Sequence, residues 1–263
     1  MPAAVAPQSR AGHRPKDIAR NPSATAHGPQ RIPRKTPPRM APNLDPHIDF
    51  SPPVQRSEAA RHLLHAACRL FAARGLDGVT VREIADAAGQ KNHGAVAYHF
   101  GSKEALAQAL VIDGAALIDA RRNAWLDAME AAGGPADVRA VVEVLIQAGL
   151  DLDAAGVPAD YNRFITLLGM THRQFFMDTL AGRWTRGYQR CLAHLRALMP
   201  PLPPASQNQR FVFLGAYLGA VLAARDAELA DTRRAHPTWR AGSTLAHFAS
   251  TMTALLQAPA DPR

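Results

Sequence analysis

Side chains able to address a nucleic acid crowd into one short stretch of this chain. Lys91, Asn92 and His93 form a polar connection, and their ammonium, amide and imidazole groups can donate to base edges or phosphates. A solvated turn would use the same three residues. Gly94, Ala95 and Ala97 follow directly; they are small enough to let a helix backbone approach a groove floor, and an alanine methyl can touch a thymine methyl. Lys103 falls in the first turn of a predicted helix, where a cation opposes the macrodipole. A local rule broken at low benefit points to a use, and an ammonium beside the free amides of a helix start would complete a phosphate clamp. Thr80 and Arg82, at the start of an earlier helix, could hold the phosphate on the other side of the groove, although Arg82 also fits a plain surface residue.

Other chemistries find little support. The histidines are scattered, and the sequence contains no Gly-rich phosphate loop, HExxH or CxxC, so neither an enzyme nor a metal or other cofactor is expected. Cys68 and Cys191 each lie inside an apolar helical pattern and are expected to be core residues of a protein from a reducing, cytoplasmic compartment. The longest apolar run, 211–224, is short of a bilayer span, so no membrane is expected as a partner. A compact apolar secretory stretch is also missing from the N-terminus. The formal net charge is +8, but residues 1–57 hold 9 Lys and Arg against 3 Asp and Glu, leaving 21 against 19 for the rest. The basic excess therefore belongs to the leading segment, which also contains 12 of the 21 prolines. It cannot bury enough apolar surface to offset ordering and is expected to be a disordered tail, either a basic arm for phosphates or an inert extension. A second short tail is expected at 258–263.

The elements that would position these groups are helical throughout. Leu63, Leu64, Ala67, Leu70 and Phe71 make one stripe of a first helix over 58–74, stopped by Gly75. Thr80 and Glu83 have the spacing of a capping box and predict a second helix that buries Val81, Ile84, Ala85 and Ala88 and ends at Gly89. A short third helix over 93–100 turns Val96 and Phe100 inward and closes at Gly101. Ser102 can cap a long fourth helix reaching about Ala131. Further helices are predicted at 135–151, 160–176, 178–198, 207–226 and 243–256, separated mostly by Gly and Pro. The expected fold class is all-α.

Three helices with a polar turn between the second and third have the shape of a helix-turn-helix. The string Thr80-Val81-Arg82-Glu83-Ile84-Ala85, then Ala88-Gly89, then Tyr98-His99-Phe100-Gly101-Ser102-Lys103-Glu104-Ala105-Leu106 resembles, in order and spacing, the N-terminal domain of TetR-type (TetR/AcrR) transcriptional regulators. One departure stands between them: Gln90 to Ala97 is one residue longer than the common family pattern, so the turn must absorb an extra residue. The resemblance implies a helix-turn-helix DNA-binding domain over 58–104, with phosphate contacts from Tyr98 and His99. It also implies a helical-bundle domain over 135–257 that pairs two subunits and encloses an inducer pocket. The partners so implied are a palindromic double-stranded operator, a second copy as homodimer and a small-molecule inducer that releases a repressor from DNA. The rival reading is a helical small-molecule-binding or protein-interaction domain that has lost specific DNA binding.

Within the second domain, Leu180, Trp184, Tyr188, Cys191, Leu195 and Leu198 are expected to form one stripe on one helix, with Tyr161, Phe164, Leu168 and Phe175 on the helix before. These are core residues or pocket lining. Tyr161, Phe164, Leu168, Trp184 and Tyr188 are the pocket candidates, and His172 could meet an anionic ligand. The segment from Phe211 to Gly219 is apolar nearly all round, as a helix buried against both its own domain and a partner would be. Gly215 and Gly219, with the final helix, would allow close approach at a four-helix interface.

Overall fold

The computed structural model describes residues 54–259, so the expected tails lie for the most part outside the described residues. Eleven α-helices and no strand occur among them: α1 Glu58–Arg74, α2 Val81–Ala87, α3 Ala95–Phe100, α4 Lys103–Ala131, α5 Val138–Gln147, α6 Tyr161–Thr171, α7 Arg173–Leu180, α8 Arg186–Leu198, α9 Pro204–Ala230, α10 Pro237–Arg240 and α11 Gly242–Gln257. None is long and apolar enough to cross a membrane.

Local chemistry sets the first four boundaries. Ser57 accepts from the Ala60 amide and starts α1, and Gly75 (φ 75°) ends it in a conformation that costs glycine little. Thr80 and Glu83 form the full capping box of α2. Ser102 accepts from the Ala105 amide at the head of α4. Val81 is 42% exposed instead of buried, because the first residue of a surface helix points away from the core that Ile84 and Ala85 enter one turn later.

The apolar core does not stop at the three N-terminal helices. Leu63, Phe71, Ile84, Val96 and Leu106 join Tyr161, Phe164 and Leu168 of α6 in one cluster, with the Phe71 and Phe164 rings 5.9 Å apart. Tyr161 is wedged against α4 at Gly114, where a Cβ would stand 2.2 Å from the ring, and its hydroxyl donates to the Val111 carbonyl at 3.2 Å. A second cluster gathers Trp125, Leu126, α5, α8, α9 and α11. The long α4 belongs to both and links them mechanically.

Two predicted helices are broken. The one expected over 160–176 stops at Thr171, because His172 (φ −133°, ψ 46°) leaves the helical conformation and turns the chain into α7. The one expected over 178–198 is cut by Ala181, Gly182 and Trp184, all at positive φ. Leu180 consequently sits on α7 and Trp184 in a loop, so the six-residue stripe is not on one helix. Gly215 and Gly219 also differ from expectation. They face Tyr188 and Thr166 of their own chain, which brings α9 close to α8 and α6, whereas Val212 and Phe213 on the other side are 68% and 57% exposed.

Candidate nucleic-acid interface

At the tip formed by α2 and α3, backbone geometry decides which side chains are free. Gly89 (φ 70°) ends α2, and the turn continues through Gly94, so α3 begins at Ala95 and not at His93. The extra residue is thereby absorbed in the turn. Asn92 holds that turn: its side-chain oxygen accepts from the Gly94 amide at 2.8 Å and its carbonyl from the Ala95 amide at 3.0 Å. Only the Asn92 amide nitrogen is left to address a base. Lys91, Asn92, His93 and Gly94 are all exposed.

Val96 faces inward as expected, and Ala95 joins it. Ala95 is buried with Val96 in the core, so Ala95 cannot touch a groove floor; this corrects its assignment as a contact residue. Ala97 and Tyr98 point outward, Tyr98 being 86% exposed, and His99 meets the Tyr98 ring edge-on at 4.8 Å between centroids. An aromatic side chain left so fully in water at the end of a short helix is available to a partner surface.

Around this tip four of the predicted phosphate donors, Thr80, Arg82, His93 and Lys103, have other engagements. The Thr80 hydroxyl donates to the Glu83 carboxylate at 2.8 Å and accepts from the Glu83 amide at 3.3 Å, so the capping box uses both its capacities. Hydrogen bonds from Arg74 at 2.7 Å and from Thr80 hold the Glu83 carboxyl down to about 2. Asp86 lies between two side chains, 2.9 Å from the His93 ring nitrogen and 4.0 Å from the Arg82 guanidinium. Both side chains remain at the surface, steered by the carboxylate beside them. Lys103 reaches back from α4 to donate to the Leu76 and Val79 carbonyls, each at 3.0 Å. Its position in a helix first turn thus has a structural reason: the ammonium fastens the α1–α2 turn.

Residues 63–110, which span these features, match the bacterial regulatory proteins of the tetR family. This segment is similar to a tetR-family domain. The tetR-type segment is also similar to the HTH-type transcriptional repressor Rv3405c of Mycobacterium tuberculosis (strain ATCC 25618 / H37Rv), with 44% identity over 59 residues, 22% of this chain and 31% of that protein. The HTH-type transcriptional regulator Mb3439c of Mycobacterium bovis (strain ATCC BAA-935 / AF2122/97) matches to the same extent, 44% over 59 residues, with 22% and 31% covered. The match thus spans about a third of the length of these relatives. Among solved structures, the TetR family transcriptional regulator PfmR from Thermus thermophilus is similar with 17% identity and a TM-score of 0.46, covering 74% of this chain and 96% of that one.

Beyond the tetR-type segment, the six predicted pocket residues do not converge. Tyr161, Phe164 and Leu168 are buried in the core. His172 is near the surface, accepting or donating between Thr171 at 2.9 Å and Asp77 of the α1–α2 turn at 3.1 Å. Trp184 stacks under Arg183 with 4.5 Å from guanidinium to ring, and Tyr188 lies under Arg122 at 5.4 Å. Two clefts lie elsewhere. One of about 240 Å³ is walled by Asp151, Asp160, Asn162, Arg225 and Asp226, and a shallower one of about 420 Å³ lies beside Arg225, Trp239 and Leu245. In the first, burial pushes the Asp226 carboxyl up to about 6 against the opposing hydrogen bonds from Asn162. Sequence reasoning passed over Asp226 and Arg122 because nothing in a helical pattern marks which charged residue faces inward.

Proposed function

We propose that the protein is a homodimeric, sequence-specific DNA-binding transcriptional regulator, acting as a repressor that a small-molecule ligand releases from a palindromic operator. The observation that carries this reading is α3 of the tetR-type domain, locked into the core by Ala95 and Val96 while Ala97 and Tyr98 face solvent. Residues 58–104 are the DNA-binding domain, with α4 running on to Ala131, and residues 135–257 the regulatory and dimerisation domain. In a major groove, Ala97 and the Asn92 amide nitrogen meet base edges, and Arg82, Lys91, His93, Tyr98 and His99 meet phosphates or neighbouring bases. Two copies of α3 held roughly 34 Å apart would enter successive grooves on one side of the duplex.

The exposed Val212 and Phe213 of α9 support pairing of two copies through this helix, since large side chains left in water on a long helix gain by covering one another. A ligand releases DNA only if it binds the DNA-incompetent arrangement better. Gel retardation with the duplex upstream of the protein's own gene, at low salt, tests the reading. A retarded complex that survives excess random duplex supports it. No complex at any salt concentration favours the rival reading, a helical domain without specific DNA binding.

A further inference from the structure

Adjacent arginines in the middle of α4 have opposite circumstances. Arg121 is 3% exposed, and its terminal nitrogens are satisfied: they donate to the Leu150 carbonyl at 2.6 Å, and to those of Ala148 and Asp151 at 3.5 and 3.4 Å, tying down the end of α5 and leaving only its Nε without a partner. Arg122, on the next face, has none of this. Its Nε is shut off from solvent without a hydrogen-bond partner, and the guanidinium takes part in no ion pair or hydrogen bond among the described residues.

The neighbours explain why no partner is at hand. Asp119, one turn earlier, has both oxygens in use, one accepting from the Gly187 amide at 2.7 Å and the other from Asn123 at 3.0 Å. Gly187 packs so tightly that a Cβ there would come within 2.6 Å of the Arg122 Cβ, which fixes the stem of the arginine. Tyr188 offers its ring face at 5.4 Å, and the buried Cys191 lies beyond. Ile118, four residues earlier on the same face of α4, is a half-buried apolar neighbour. Desolvation lowers the guanidinium pKa against the opposing influence of neighbours that include Asp119, yet an arginine stays charged, so the domain carries a half-buried cation with hydrogen-bonding capacity to spare.

We infer that Arg122 is an anion-binding residue of the regulatory half, and that the effector is an organic carboxylate whose oxygens take the guanidinium N–H groups while its apolar body lies along Tyr188 and Ile118. A planar fork of donors matches a carboxylate in two-point contact, and the aromatic and aliphatic flanks select an apolar body over a bare inorganic anion. The effector role rests on the regulator reading above; the anion site does not.

The test uses the full chain, free of DNA, with benzoate and octanoate as probes and benzamide and octanamide as neutral counterparts, followed by thermal unfolding. The expected result is a Tm rise of about 3–6 °C with a carboxylate at tenfold its Kd and none with the amides. Arg122→Met should lose the response and, without ligand, melt at or above the wild-type temperature, because a half-buried charge with no ion-pair or hydrogen-bond partner has been replaced by an apolar side chain. No rise with either carboxylate, an equal rise in Arg122→Met, or a ligand-free variant that melts well below wild type would overturn the anion site. A second arm adds duplex DNA. Loss of the complex at saturating carboxylate is expected, and a bound carboxylate that leaves DNA affinity unchanged would overturn the effector role alone.

Discussion

Replacing Lys103 by methionine keeps the length of the side chain and removes only the ammonium that bonds the Leu76 and Val79 carbonyls at 3.0 Å each. Hydrogen bonds to a charged group are worth roughly 1.5–3 kcal/mol each. Taking the lower end for a partly solvated cation gives about 3 kcal/mol for the pair, equivalent to a Tm fall of about 6–12 °C in a chain of this size. DNA affinity should fall too, since the α1–α2 turn that positions α2 and α3 is loosened. The loss should be the same at 50 and 200 mM salt, because no phosphate contact has gone. If Lys103 instead neutralised a phosphate, its removal would flatten the salt dependence by about 0.9 in the log–log slope, so the affinity deficit would differ roughly 3.5-fold between those two salt concentrations. Differential scanning calorimetry and anisotropy titrations at both concentrations separate the cases. An unchanged Tm with a flattened slope would refute the turn-fastening role.

Other outcomes follow from the same geometry. Tyr98→Ala should weaken DNA binding at least tenfold, about 1.4 kcal/mol, with Tm within about 1 °C of wild type, as a residue 86% exposed contributes little to the fold; titration and melting of the same sample check both. Phe213→Asp should turn a dimer into a monomer at micromolar concentration in sedimentation velocity, by placing a charge on the exposed face of α9. Asp226→Asn should raise Tm at pH 7 and remove a pH dependence. The folded carboxyl titrates near 6 against an ordinary 3.8, so the folded state binds the proton more tightly. The stability this contributes is present below about 4 and is lost as pH rises through about 6. The asparagine keeps an oxygen for the Asn162 amide, which donates to Asp226 at 3.2 Å; melting curves from pH 4 to 8 read the difference.

Much of the N-terminal architecture was legible because its signals are local. Thr80 with Glu83, Ser102, Gly75 and Gly101 each act within a few residues of themselves, and the structure uses them as helix caps and stops. The side chains of the interface were less legible. Ala95 faces inward beside Val96 at the first position of α3, and Asn92 sets that start by taking the Gly94 amide. Lys103 finds its partners 24 and 27 positions upstream, beyond any helical pattern. In the second half, a period of 3.6 runs through Thr171 and Ala181 without interruption, yet the non-helical backbone of His172 and a run of positive φ values break the helices there. Pocket residues chosen from stripes on assumed continuous helices were therefore dispersed, and three of them are core.

Selection of duplexes from a randomised pool by the purified full-length protein, followed by sequencing, tests the central claim most directly. A protein that presents two outward-facing copies of α3 should enrich a motif with twofold symmetry, its half-sites centred about one helical turn apart or a multiple of it. A pool that emerges as random as it entered, or a single asymmetric motif retained by a monomer, would contradict the account.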